Sequence, residues 1–206
     1  MDSFAEKKLT DFMQQLASSA PFPGGGGAAA LSGAMGAALG CMVCRLTLDK
    51  PSYEDAKPWI LGALEKFEGI RAEMLALIDG DAAGFESLSK AWAMARDDPA
   101  RAAKVEGALC AACGAPIGVI DAALQTLDLL AELAGLGIKS AISDVGVAAE
   151  LCKAAIFASK QTLFINAALM KDKACAAELR EKYYAAEARC MAAAEKAVST
   201  AADRIG

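Results

Sequence analysis

Asp81 stands in this chain where a carboxylate has no obvious place. Apolar residues recur at helical spacing through Ile60, Leu64, Phe67, Met74 and Ile78, and extending that spacing puts Asp81 on the same face as Phe85, Leu88 and Trp92. Arg71 interrupts the stripe once. A carboxylate on such a face loses hydration unless it is paired or hydrogen-bonded, and its pKa is driven upward. A group of that kind suits proton transfer near neutral pH. The alternative is that Gly80 breaks the helix and Asp81 caps the next one. The chain has no histidine, so acid–base chemistry falls to Asp, Glu, Lys, Tyr or Cys. A His-based triad and a His-ligated metal are excluded.

Pro21-Phe22-Pro23 followed by Gly24, Gly25, Gly26 and Gly27 supplies a second chemical element. The prolines stop a preceding helix, and the glycines leave backbone that no side chain keeps away from a ligand. If a helix opens near Ala28, its free N–H groups and dipole make the loop a seat for an anion or a carbonyl. The other reading is a tight corner where two helices touch. No Lys-Ser/Thr pair follows the glycines and no strand precedes them, so this is not a phosphate-binding P-loop. Ser143 and Asp144 sit where a helix N-cap is expected and also where a helix N-terminus could meet a ligand. Two Cys-x-x-Cys pairs, Cys41/Cys44 and Cys110/Cys113, are separated by far more than a zinc ribbon allows. The first pair lies inside a predicted helix, and small apolar packing accounts for both better than zinc does, so no metal is expected.

The elements that must position these groups are helical. Ser3-Phe4-Ala5-Glu6 fits a capping box for a first helix running to about Ser18. In a second helix over 28–48, the small residues Ala29, Gly33, Gly36, Gly40 and Cys44 share one face, suited to a core or a dimer seam. Pro58 marks the first turn of a third helix, and Asp98-Pro99 restarts a fourth that Gly114 should end. Pro116 begins a fifth, ended by Gly135 or Gly137. Ser143-Asp144 opens another, and an Ala-rich helix covers about 173–203. Alternating β-branched strands are not evident, so the expected fold is all-α, an elongated multi-helix bundle forming one domain over 1–206.

Composition narrows the partners. A net charge of −5 argues against a general nucleic-acid surface. Seven cysteines in apolar surroundings, with no basic start or apolar leader, favour a reducing cytoplasm. Residues 12–44 carry no charge, but the prolines and glycines divide that run and leave only about 17 residues, at the bottom of the membrane-spanning range. Those residues are largely Ala and Gly, which reads as a buried helix of a soluble protein, not a membrane span.

Five segments then share an order and spacing. They are residues 21–31 around the glycine run, Leu46-Thr47-Leu48-Asp49-Lys50, Asp79-Gly80-Asp81-Ala82-Ala83-Gly84-Phe85, Ile142-Ser143-Asp144-Val145-Gly146-Val147-Ala148, and Ile165-Asn166. Together, over nearly the whole chain, they resemble the formimidoyltetrahydrofolate cyclodeaminase / methenyltetrahydrofolate cyclohydrolase family. The resemblance implies an all-helical homodimer that binds a reduced folate, a tetrahydrofolate derivative as substrate, in a cleft near the subunit interface. It implies chemistry on the one-carbon unit between N5 and N10, with loss of ammonia or addition of water. On that basis Asp81 takes the acid–base role, and Gly24, Gly25, Gly26 and Gly27 line the folate site. Arg45 and Lys50 meet its glutamate tail, and Ser143, Asp144 and Asn166 complete a polar lining. The chain departs from the family pattern at Phe22 (often Thr), at Gly27 (often Ser), in the run 137–141 before Ile142, and at Thr162-Leu163 (often Asn-Val). These departures keep two other readings open: a member that binds folate or an anionic metabolite without turnover, and a helical interaction module with a purely structural loop.

Overall fold

The computed structural model describes residues 3–206, and among these there is no strand. Seven α-helices follow in order: α1 (Leu9–Leu16), α2 (Gly25–Leu48), α3 (Lys57–Trp92), α4 (Arg101–Ala112), α5 (Gly114–Leu136), α6 (Ile142–Leu169) and α7 (Lys173–Ile205). Short 3₁₀ turns, Pro51–Ala56 and Lys139–Ala141, precede α3 and α6. At 1.5 Å per residue, α3 and α7 are each roughly 50 Å long, which makes the bundle elongated.

α2 is the most enclosed helix because its side chains are the smallest. It packs on α3 along one side and α6 along the other; α5 packs against all three, and α7 covers α5 and α6. The glycines of its stripe are fitted closely against the neighbouring helices α3 and α6. A Cβ at Gly40 would lie 2.7–2.8 Å from three atoms of the Phe67 ring. One at Gly33 would run into the thioether of Met74, and one at Gly36 would lie 3.0 Å from the carbonyl oxygen of Ala148. The stripe is therefore core within one chain. The side of α2 left to solvent carries Met35, Met42 and Leu46, all substantially exposed. By length and composition α2 and the continuous α4–α5 segment could each cross a membrane, but more than half of each apolar window is buried inside the bundle.

Three expectations about local structure change. Ser3 caps no helix. α1 begins only at Leu9, with no side-chain cap, because the Ser3 hydroxyl is turned 76 residues along the chain to Asp79. Gly80 does not break α3, which runs 36 residues straight through it. A mid-helix glycine costs about 1 kcal/mol against alanine, too little to end a helix whose face is packed along its length. Asp81 therefore caps nothing on its own helix. Gly114 opens α5 where the sequence suggested the end of α4, Cys113 being the junction. At the last helix Asp172 is a true N-cap, its Oδ1 accepting from the N–H groups of Ala174 and Cys175 at 3.1 and 3.0 Å.

All seven cysteines are free thiols. Burial pushes the Cys44 thiol up to about 12 and that of Cys113 to about 11, so both behave as small apolar packing groups. The two Cys-x-x-Cys pairs sit on different helices, and among the described residues no three Cys, Asp or Glu side chains converge as a metal-ligand set.

Candidate active site

The apolar stripe of α3 splits after Ile78. Ile78 and Ala82 continue into the core, whereas Asp81, Phe85 and Trp92 turn toward a cleft of about 290 Å³. The opposite wall is Pro21, Phe22 and the backbone of Gly24, Gly25 and Gly26. Thr162, Ile165, Asn166 and Leu169 from the last two turns of α6 form the third side, with Leu88 and Ala112 at the base. Asp81 is the single ionisable side chain in this lining.

Asp81 meets the start of α2. Gly24 is the N-cap residue of α2 in extended geometry and has no side chain with which to cap it. The Gly27 N–H, at the third helical position, donates instead to Asp81 Oδ2 at 3.1 Å. The carboxylate of one helix thus caps another, where the helix dipole favours negative charge. Burial still dominates. It lifts the Asp81 carboxyl above its ordinary range, with the Gly27 N–H opposing.

This approach explains one glycine in particular. A Cβ at Gly26 would overlap the Asp81 carboxyl, lying 2.7 Å from Oδ2 and closer still to Cγ and Oδ1. At Gly24 and Gly25 a Cβ would meet nothing within 4 Å, because these two border open cleft. At Gly27 it would make ordinary contacts of 3.4–3.5 Å with Pro23 and Ile78, so the position would accept the serine common in the resembling family. Gly25 and Gly26 also belong to the first helical turn, whose N–H groups have no intrahelical acceptor.

Asn166 is buried, and its Nδ2 donates to the carbonyl oxygen of Ala112 at 3.3 Å, tying the end of α4 to the cleft. Gly24, Gly25, Gly26, Asp81 and Asn166 are thus brought together at one cleft, and Gly27 joins them through its bond to Asp81. Arg45, Lys50, Ser143 and Asp144 are not part of this cleft. Arg45 lies 19 residues beyond Gly26 on α2, roughly 28 Å along the axis, and is ion-paired with Glu68 on the surface. Lys50 is exposed just past the end of α2. Ser143 and Asp144 occupy the first turn of α6, roughly 33 Å from Asn166 near its end. Neither is the α6 N-cap, which is Ala141. The helix rise therefore puts all four at the far end of the bundle from Asp81.

The aromatic and aliphatic mouth was only half legible. Phe85, Leu88 and Trp92 share the helical face that singled out Asp81, but Thr162, Ile165 and Leu169 join it only through packing of α6. Of the four departures from the family pattern, Phe22 and Thr162 line the cleft and Gly27 bonds to Asp81. Segment 137–141 lies at the other end of the bundle, and Leu163 is core.

The chain is 38% identical over 174 residues to a methenyltetrahydrofolate cyclohydrolase of Methylorubrum extorquens, covering 82% of this chain and 84% of that protein. It is 30% identical over 184 residues to a formimidoyltransferase-cyclodeaminase of Sus scrofa, covering 87% of this chain but only 34% of the pig protein. The chain thus spans about a third of that longer relative. Its fold superimposes on a crystal structure of formiminotetrahydrofolate cyclodeaminase from Thermotoga maritima with a TM-score of 0.90, at 27% identity and over 98% of both chains. A family model described as formiminotransferase-cyclodeaminase matches residues 8–185, a span that runs from the start of α1 into α7 and contains every residue of the cleft. With a family model that matches most of its length and a relative 38% identical over most of both proteins, the chain belongs to the formiminotransferase-cyclodeaminase family.

Proposed function

We propose that this chain is a folate one-carbon enzyme that hydrolyses 5,10-methenyltetrahydrofolate to 10-formyltetrahydrofolate. The observation that carries the reading is a single half-buried carboxyl, Asp81, at an otherwise uncharged cleft, with its pKa raised by burial. The flat apolar walls, Phe22 and Phe85 among them, suit a fused heterocycle, and the N-terminus of α2 offers N–H donors to its carbonyl.

In this reading water attacks the methenyl carbon, and Asp81 accepts the proton that the attacking water gives up. The tetrahedral carbinol then collapses to a formyl group on N10 as its bond to N5 breaks: Asp81 returns its proton to N5 and the carbinol O–H proton leaves to solvent, so that the methenyl cation and water yield the neutral formyl product and one released proton. A carboxyl whose pKa is raised by burial holds a proton more firmly than an exposed carboxyl does, as this relay requires. Such a group contributes about 10²–10⁴-fold in rate. Hydrolysis is favoured by the higher identity to the cyclohydrolase over most of both chains. The second reading, favoured by the fold match over the full length of the Thermotoga cyclodeaminase, is ring closure of 5-formimidoyltetrahydrofolate. There N10 attacks the formimino carbon and its proton passes to the former imino nitrogen; Asp81 then protonates that nitrogen, the C–N bond breaks and it leaves as ammonia.

The working unit in this reading is a cytoplasmic homodimer paired through the exposed Met35, Met42 and Leu46 of α2. Arg45, Lys50, Ser143 and Asp144 reach a folate only if a second copy, running antiparallel along α2, brings its far end to the cleft. The test is the ultraviolet absorbance of the methenyl chromophore, followed with each substrate for wild type and Asp81→Asn. Loss of the chromophore from 5,10-methenyltetrahydrofolate in wild type alone supports hydrolysis. Its growth from the formimidoyl substrate supports ring closure. No change with either substrate overturns both.

A further inference from the structure

The capping-box residues that cap no helix have another task. Ser3 Oγ donates to Asp79 Oδ2 at 2.6 Å and the Phe4 N–H donates to Asp79 Oδ1 at 2.7 Å, so both carboxylate oxygens of Asp79 hold the start of the chain. Phe4 is thereby buried to 3% exposure and its ring meets that of Phe22 edge-to-face, centroids 5.9 Å apart at 78°. A second route closes on the same residue. Lys7 Nζ lies 4.7 Å from the Phe4 ring centroid and bonds to Gln15 Oε1, while Gln15 Nε2 donates to the carbonyl oxygen of Phe22 at 3.1 Å. Phe22 lines the cleft and Asp79 does not. Two residues apart on a helix, Asp79 and Asp81 face different sides of α3.

We propose that Asp79 is a positioning residue: it docks the N-terminal strap, residues 3–24, on α3, and through Phe4 and Phe22 it sets the wall that closes the cleft over Asp81. The inference rests on the reading of this cleft as the folate site. Its physical content is that ligand contact at Phe22 and water exclusion at Asp81 both depend on one remote carboxylate. Releasing the strap opens the cleft to water, which relieves the burial that lifts Asp81. Ionisable groups on the elements around Asp81 include Glu6, Lys7, Lys8 and Asp11 of the strap, Asp79, Glu86 paired with Lys90 on α3, Arg101, Lys104, Glu106 and the thiols of Cys110 and Cys113 around α4, and Lys160 of α6 beside Glu187. None of them lines the cleft.

The experiment compares wild type with Asp79→Ala, Asp79→Asn and Ser3→Ala by hydrogen exchange over residues 3–24 and by pH-resolved kinetics on 5,10-methenyltetrahydrofolate and 5-formimidoyltetrahydrofolate. Removing two hydrogen bonds to a charged acceptor in Asp79→Ala is expected to speed exchange in the strap and raise KM about tenfold. It should change kcat far less and move the Asp81 limb of the pH profile to lower pH. Asp79→Asn retains an acceptor for the Phe4 N–H and should recover most of the loss. If Asp79→Ala does not fold, Ser3→Ala removes one bond at the outer end of the strap and should show the same pattern on a smaller scale. Unchanged exchange in the strap overturns the docking role. Faster exchange with unchanged KM and pH limb overturns the role in the cleft, and a kcat loss equal to that of Asp81→Asn would make Asp79 catalytic instead. A wild type inert to both folates refutes the folate reading alone, since the exchange data still decide whether Asp79 holds the strap.

Discussion

Gly26→Ala tests the central contact of the site with the smallest possible change. The added methyl would lie 2.7 Å from Asp81 Oδ2 and overlap the rest of the carboxyl, where ordinary contact needs at least 3.4 Å. Gly26 is fixed in the first turn of α2, so the carboxyl must swing aside by roughly 1 Å or more. The move breaks the 3.1 Å bond from the Gly27 N–H. Overpacking costs about 1–3 kcal/mol, and a hydrogen bond to a charged group is worth about 1.5–3 kcal/mol. The two overlap, so a net loss of about 2–4 kcal/mol is reasonable. For a chain of this size each kcal/mol moves Tm by about 2–4 °C, which places the fall at roughly 5–15 °C. A displacement of this size at a reacting group costs on the order of 10²-fold in rate. Calorimetry reads the first effect and methenyl absorbance the second. Gly25→Ala is the stability control, because a Cβ there meets nothing, and its Tm should hold or rise. A double-mutant cycle with Asp81→Ala isolates the contact, since removing the carboxyl makes room for the methyl and much of the Gly26→Ala penalty should vanish. A Gly26→Ala protein with wild-type Tm and rate, or additive behaviour in the cycle, would refute the packing of α2 on Asp81.

Asp81→Asn should lower turnover by about 10²–10⁴-fold while raising Tm at neutral pH, because a neutral amide keeps an acceptor for Gly27 without a buried charge. The sign follows from the raised native pKa. Asp81 favours folding most below its unfolded pKa, and that contribution is lost as pH rises through the native value. The Tm gain of Asp81→Asn over wild type should therefore grow across that window in thermal melts at stepped pH, and a gain independent of pH would count against it. Gly40→Ala should cost about 1–3 kcal/mol in chemical denaturation, since three atoms of the rigid Phe67 ring oppose the methyl. Gly33→Ala should cost less, because the flexible end of Met74 can move, and equal losses would contradict that distinction. Ser159 is fully buried and its hydroxyl has no hydrogen-bond partner among the described residues. Ser159→Ala should be neutral or stabilising by about 1 kcal/mol by urea titration, and a clear loss would mean that the hydroxyl is engaged.

Much of this protein could be read from its residues in order. The spacing of apolar residues along 60–92 and the small-residue face of 28–48 determined long helices, because helical periodicity is a local property of the chain. The same spacing singled out Asp81 as a carboxylate on the wrong face, and the glycine run marked a place where backbone is approached closely. Which of those glycines is required was decided only by packing: at Gly26 the Asp81 carboxyl, 55 residues later in the chain, fills the space a Cβ would need, while Gly24 and Gly25 border open space. Packing also turned a capping box into an anchor: the Ser3 hydroxyl donates to the Asp79 carboxylate instead of accepting from the N–H groups of a helix of its own. It left Arg45, Lys50, Ser143 and Asp144 at the opposite end of the bundle, because residues that share a helix with the site can still lie about 30 Å away along its axis. Sequence determines which face of each helix is apolar. Only the tertiary structure decides which polar group on one helix meets the backbone of another, because that meeting depends on the crossing of elements far apart in the chain.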